Sequence, residues 1–224
     1  MRKTCLDCIY ALAKNDPRIV FVGSDLGVGT LDAFRRELPE RFFMEGISEQ
    51  HVVGMAAGLA LEGRIPYVNT IATFLTRRCL DQVVLDLCLQ GAAVRLVGNG
   101  GGLVYAPLGP THQAVEDIAL MRAIPNMTIL VPVDARELTA LMPQTVDWSG
   151  PIYIRLAKGY DPIVTPEGHA PVLGKAFHAR PGGDALVVTT GTCLGQALAV
   201  AETMAAQGRE VGVLHMHTVK PFDR

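Results

Sequence analysis

Apolar residues recur at helical spacing over residues 2–14, where Leu6, Ile9, Tyr10 and Ala13 share a face. A short β-rich run at 19–22 follows and ends in Gly23-Ser24-Asp25-Leu26-Gly27. A strand that runs into such a loop is where α/β folds place ligand contacts. Residues 34–40 read as a short amphipathic helix checked by Pro39, and 41–45 as a strand. Ser48 is a candidate N-cap for a helix with Glu49 in its first turn, continuing through Ala56, Ala57, Gly58 and Ala60. Side chains this small predict close approach of another backbone.

Beyond a strand at 66–70, a long helix is expected over 73–89, with Leu80, Val83, Val84, Leu87 and Cys88 on its apolar face. The unbroken apolar run at 93–97 suits a strand buried on both faces of a parallel sheet. A glycine-rich loop from Asn99 to Pro110 leads to Thr111-His112-Gln113 and a helix over 115–122. A strand at 128–131, a helix capped by Asp134 and a strand at 151–156 complete the set. This alternation predicts an α/β fold, a mostly parallel sheet with helices on both faces, over residues 1–160. Residues 161–171 are richer in proline, glycine and charge and read as a linker. A fresh β-α-β pattern, 185–189, 193–207 and 211–216, begins a second α/β domain within 172–224. One such unit is too small to bury its own core, so it is either cut short or leans on the first domain.

Hydrophobic residues make up 49% of the 224, enough for a sizeable core. A net charge of -2 gives no footing for nucleic acid or an anionic membrane. No apolar run reaches transmembrane length, and Met-Arg-Lys-Thr-Cys-Leu lacks a signal peptide's apolar core, so a cytoplasmic location is expected. Cys5 and Cys8 form a C-x-x-C with no second pair at zinc spacing, and on a helix they are simply neighbours on one face.

Candidate chemistry lies in four ordered segments: Gly46-Ile47-Ser48-Glu49-Gln50-His51, Thr73-Phe74-Leu75-Thr76-Arg77, Gly109-Pro110-Thr111-His112-Gln113 and Arg155-Leu156-Ala157-Lys158-Gly159. Each has a plain reading. Glu49 could merely offset the helix dipole, worth roughly 0.3–1 kcal/mol. Phe74 could be core, Arg77 a solvated helix residue, and Thr111 and His112 caps of the following helix. In order and spacing, however, the four resemble the transketolase family, including its relative 1-deoxy-xylulose-5-phosphate synthase. The likeness covers the pyrimidine-binding domain of these thiamine-diphosphate enzymes. Residues 172–224, with His217-Thr218-Val219-Lys220-Pro221-Phe222-Asp223, resemble the beginning of the family's C-terminal domain.

The resemblance implies roles. Glu49 stands where a glutamate bonds the pyrimidine N1′ and favours the imino tautomer, which needs a dry site. Phe74 stands where the ring is stacked. Arg77 and His51 fall beside the cofactor. Ser24, Asp25, His112, Arg155 and Lys158 fall along the substrate channel, with His112 able to shuttle a proton near neutral pH. Leu108 departs from an acidic residue that reaches a substrate hydroxyl, which puts the usual sugar-phosphate substrates in doubt. The family's Gly-Asp-Gly and following Asn, which hold Mg²⁺ on the diphosphate, have no match; Gly183-Asp184-Ala185 is the nearest segment. No metal ligand is therefore expected in this chain. The implied protein is the C-terminal subunit of a split transketolase. Its partner would be an N-terminal subunit carrying the diphosphate and Mg²⁺ site, and it would self-associate through the pyrimidine domain. The reaction would be ketol transfer between sugar phosphates. A β subunit of a 2-oxo acid dehydrogenase and a non-catalytic scaffold are the alternatives.

Overall fold

The computed structural model describes residues 1–24, 29–157 and 159–223. Its chain runs α1 (Arg2–Asn15), β1 (Ile19–Gly23), α2 (Asp32–Glu37), β2 (Phe42–Met44), α3 (Glu49–Leu61) and β3 (Ile65–Ile71). Then come α4 (Ala72–Thr76), α5 (Leu80–Gln82) widening into π turns at Val83–Cys88, β4 (Arg95–Asn99), α6 (Asp117–Ala123), β5 (Thr128–Leu130), α7 (Ala135–Leu141) and β6 (Ile152–Leu156). The rest is β7 (Phe177–Arg180), β8 (Ala185–Thr189), α8 (Cys193–Ala205), β9 (Val211–His215) and β10 (Thr218–Lys220).

The main sheet has the order β10-β5-β6-β4-β3-β1-β2, parallel except where β10 meets β5. Strand side chains alternate between faces, and both faces are buried. Val22, Val68, Leu96, Ile129 and Tyr153 meet α3, the π turns and α6 on one side. Phe21, Tyr67, Val97, Leu130 and Ile154 meet α1, α2 and α7 on the other. This is why the strands read as apolar runs rather than alternating ones.

At the opposite edge from the candidate chemistry, the fully buried Arg95 donates to the carbonyls of Thr145, Val146, Trp148 and Gly150. Burial lowers its pKa to about 10, still charged at neutral pH. One guanidinium thus closes the turn that leads into β6.

Three expectations need correction. The long helix over 73–89 is broken at Arg77–Cys79, where the Cys79 thiol donates to the Phe74 carbonyl and both arginines leave for separate partners. Ser48 occupies the N-cap position of α3, but its hydroxyl donates to Glu45 O and caps nothing. The helix expected over 115–122 starts at Asp117, so neither Thr111 nor His112 caps it. By contrast, Asp134 caps α7, accepting from Glu137 N at 2.9 Å.

The second region forms a three-stranded sheet, β7-β9-β8, covered by α8. It leans on the first. Its last strand, β10, joins the main sheet, and His215 and Glu137 meet at 3.2 Å with both side chains fully buried. Residues 161–171 carry no helix or strand, yet they are tied down. The second carboxylate oxygen of Asp134 accepts from Val164 N, Thr165 N and Thr165 Oγ1. Among the described residues, no helix is long and apolar enough to cross a membrane.

Burial alone would raise the Asp134 pKa, but the amides of Glu137, Thr165 and Val164 and the Thr165 hydroxyl outweigh it and hold the carboxyl below its ordinary value. A depressed folded value stabilises the protein above the unfolded pKa of about 3.9, and the contribution is lost as pH falls through the folded one. Asp134→Asn should therefore cost on the order of 2–3 kcal/mol at pH 7 and flatten the loss of stability on acidification below about pH 4. Urea unfolding across that range checks this; a variant as stable as wild type at pH 7 contradicts it.

Candidate active site

The carboxyl ends of the parallel strands all open on one edge, and the chemistry-bearing segments leave from there. Glu49 starts the helix after β2, Phe74 sits on the helix after β3, and His112 ends the loop after β4. Glu49 is only 2% exposed, so its carboxylate must have a partner to be stable there. That partner is Arg78, whose Nη1 donates to Glu49 Oε2 at 2.7 Å. The same guanidinium lies over the Phe74 ring, 4.1 Å from its centroid. His112 meets the ring edge-on, with centroids 5.2 Å apart. Glu49, Arg78, Phe74 and His112 form one contiguous cluster.

Arg77 points away from it. It donates to Pro110 O and to Gln113 O and pairs with Glu116, pinning the segment that carries His112. Thr111 Oγ1 and His112 Nδ1 share a hydrogen bond of 2.9 Å. The loop is held from below as well. The buried Asp117 accepts from Tyr153 OH at 2.8 Å and from Arg155 Nε at 2.7 Å. Burial first, then the Asp117 charge, pushes the Tyr153 phenol well above its usual range, so it stays a donor. Two glycines leave room for this network. A Cβ on Gly98 would lie 2.6 Å from the Tyr153 ring, and one on Gly101 2.5 Å from the Arg155 guanidinium.

Ser24 is buried and donates to Thr70 Oγ1 at 2.6 Å. His51 is exposed on the first turn of α3. Asp25 and Lys158 lie outside the described residues. A cavity of about 230 Å³ opens beside Thr70, lined by Arg2, Ile71, Asn99, Tyr105 and Leu108. Arg2, Asn99 and Arg78 were not singled out from sequence. Arg78 follows Phe74 by four residues, but it lies in the turn past the end of α4, and the spacing alone does not set it apart from Arg77.

A protonatable aminopyrimidine needs a carboxyl for its ring nitrogen and a flat face to lie on. Glu49 and Phe74 already hold a planar, nitrogen-bearing cation in that way, so the residues fit such a ring. Among the described residues, no group of three or more His, Cys, Asp or Glu is gathered to hold a metal.

The transketolase pyrimidine binding domain model matches residues 1–160, and the transketolase C-terminal domain model matches 174–224. The chain belongs to the transketolase family. This family depends on thiamine diphosphate and transfers ketol units. The chain is 39% identical to the 6-deoxy-6-sulfo-D-fructose transketolase subunit SqwH of Clostridium sp. (strain MSTE9), over 100% of this chain and 70% of that protein. It is 40% identical to the 1-deoxy-D-xylulose-5-phosphate synthase of Microcystis aeruginosa (strain NIES-843 / IAM M-2473), over 95% of this chain and 34% of the synthase. A solved structure described as a split gene transketolase, inactive beta4 tetramer, superposes with a TM-score of 0.90 at 33% identity, over 99% of this chain and 72% of that one.

If Arg77 sets the His112 loop, Arg77→Met should speed amide hydrogen exchange over residues 109–113 by about tenfold or more. Exchange in β3 and β4 should not change. Unaltered exchange over 109–113 would mean that the Gly102–Ala114 bridge holds the loop unaided.

Proposed function

We propose that this chain is the pyrimidine-binding subunit of a two-chain, thiamine-diphosphate-dependent transketolase, transferring a two-carbon ketol unit between sugar phosphates. The observation that carries this is the burial of Glu49 at a helix mouth, in one cluster with Phe74 and His112. Bound there, thiamine diphosphate would supply the nucleophilic carbon that carries the transferred unit. Glu49 holds the proton shared with the ring nitrogen, Phe74 gives the ring its apolar floor, and both exclude water. His112 moves a proton at the substrate hydroxyl, on a loop fixed by Arg77 and the Asp117–Arg155 pair.

Arg155 acts through that loop, because its guanidinium is committed to Asp117. Arg2 offers a cation to the anionic end of the substrate, at a cavity that Leu108 makes more apolar. Lys158, Asp25 and His51 remain candidate contacts from the family pattern.

Mg²⁺ and the diphosphate would be held by an N-terminal partner subunit. Relatives described as transketolase subunits support a two-chain enzyme: SqwH, and an apulose-4-phosphate transketolase subunit of Phocaeicola vulgatus. Self-association would use the outer side of α3. Gly58 there has open space around it, and Ile47, Leu61, Leu85 and Leu89 are exposed. Exposed apolar residues in such number suit a second copy of the chain. Five free thiols suit the reducing cytoplasm.

Mixed with its partner, thiamine diphosphate and Mg²⁺, the chain should transfer ketol units, and alone it should not. Glu49→Gln should lower turnover by at least about 100-fold, the scale of a lost acid–base group, without preventing assembly. Full activity of the variant would leave the scaffold reading standing.

A further inference from the structure

Arg78 makes both of the contacts that the aminopyrimidine would make: a hydrogen bond to the Glu49 carboxylate and a stack on the Phe74 ring. A group 4.1 Å from the ring centroid leaves no room for a second ring on that face. The occupied Glu49 oxygen is likewise engaged. Arg78 and the cofactor ring therefore compete for the same floor and the same carboxyl. From this we propose that Arg78 is an internal plug of the pyrimidine site, seated in the chain by itself and displaced when the cofactor enters. The proposal rests on the reading of Glu49 and Phe74 as the ring site.

Three features make the plug releasable. Arg78 lies in the turn at 77–79 between α4 and α5, outside the regular helix in which the preceding turn would restrict its χ1 rotamers. Its side chain is 41% exposed, and it can swing into water without opening the core. Among the described residues, its guanidinium has no hydrogen bond or ion pair besides that to Glu49. Arg77 is the contrast, with Pro110, Gln113 and Glu116 all holding it. Meanwhile Gln50 Nε2 donates to Arg78 O at 3.1 Å, which anchors the backbone about which the side chain turns.

The plug also solves a problem that the site creates. A carboxylate as buried as Glu49 is destabilising without a countercharge. Arg78 supplies that countercharge until a protonatable ring replaces it. The cost falls on affinity, because a ligand that binds only the open form is weakened by the fraction of chains that are open.

Thiamine, which carries the ring but not the diphosphate, is the probe, titrated into the purified chain by calorimetry and ligand-observed NMR. If nine chains in ten are plugged, Arg78→Met should bind thiamine about tenfold more tightly than wild type. Glu49→Gln should remove binding in both backgrounds. In wild type, the Arg78 Nε–H signal should move toward that of a free arginine as thiamine saturates the site, a readout that needs no variant. Binding no tighter in Arg78→Met, or an Arg78 signal that stays put at saturation, overturns the plug while leaving the ring site intact. Binding indifferent to Glu49→Gln, or no binding by any variant, overturns the ring site itself.

Discussion

A carboxylate taken out of water at the mouth of α3 is the constraint around which this edge of the protein is arranged. Left alone, a buried ionised group would cost several kcal/mol, so the chain must give it a cation or a proton to share. Arg78 meets that need and Phe74 carries the flat side of the guanidinium. The geometry that keeps Glu49 stable is thus the geometry that the proposed function requires for a planar, protonatable ring. Stability and recognition have the same chemical requirement here.

The surrounding fold holds that cluster in place by routes outside it. The main sheet, buried on both faces, ends β1, β2, β3 and β4 at one edge. Beneath the glycine-rich loop, Asp117 gathers Tyr153 and Arg155, and Gly98 and Gly101 exist as glycines because those two side chains pass over them. From above, Arg77 clamps the backbone on either side of His112. The second region adds β10 to the sheet and docks through His215 on Glu137 and Lys220 on the Arg122 carbonyl, while Asp134 holds the linker; Val133 of the first region packs into the second region's small core.

Much of this was legible from sequence, for identifiable reasons. Strands at β1, β3, β4 and β6 are marked by apolar runs between turn residues, and Glu49, Phe74 and His112 stand out by motif. What was not legible depends on contacts distant in sequence. β7 and β10 are short, and their pairing partners β9 and β5 lie far along the chain. The break at Arg77–Cys79 is invisible to helical periodicity, because nothing in the spacing of the apolar residues marks it; the contacts made there, Cys79 to the Phe74 carbonyl and the two arginines to Glu116 and Glu49, join residues that the pattern does not relate. The roles of the adjacent Arg77 and Arg78 could be told apart only once the helix was seen to break. The Ser48 hydroxyl could as well have capped α3 as turned back to Glu45, and nothing local decides between them.

The most direct measurement is a crystal structure of this chain assembled with the proposed diphosphate-binding partner, thiamine diphosphate and Mg²⁺. The account requires the Glu49 carboxyl within about 3 Å of a pyrimidine nitrogen, with the ring on Phe74. A cofactor ring seated elsewhere, with Glu49 still bonded to Arg78, would contradict it.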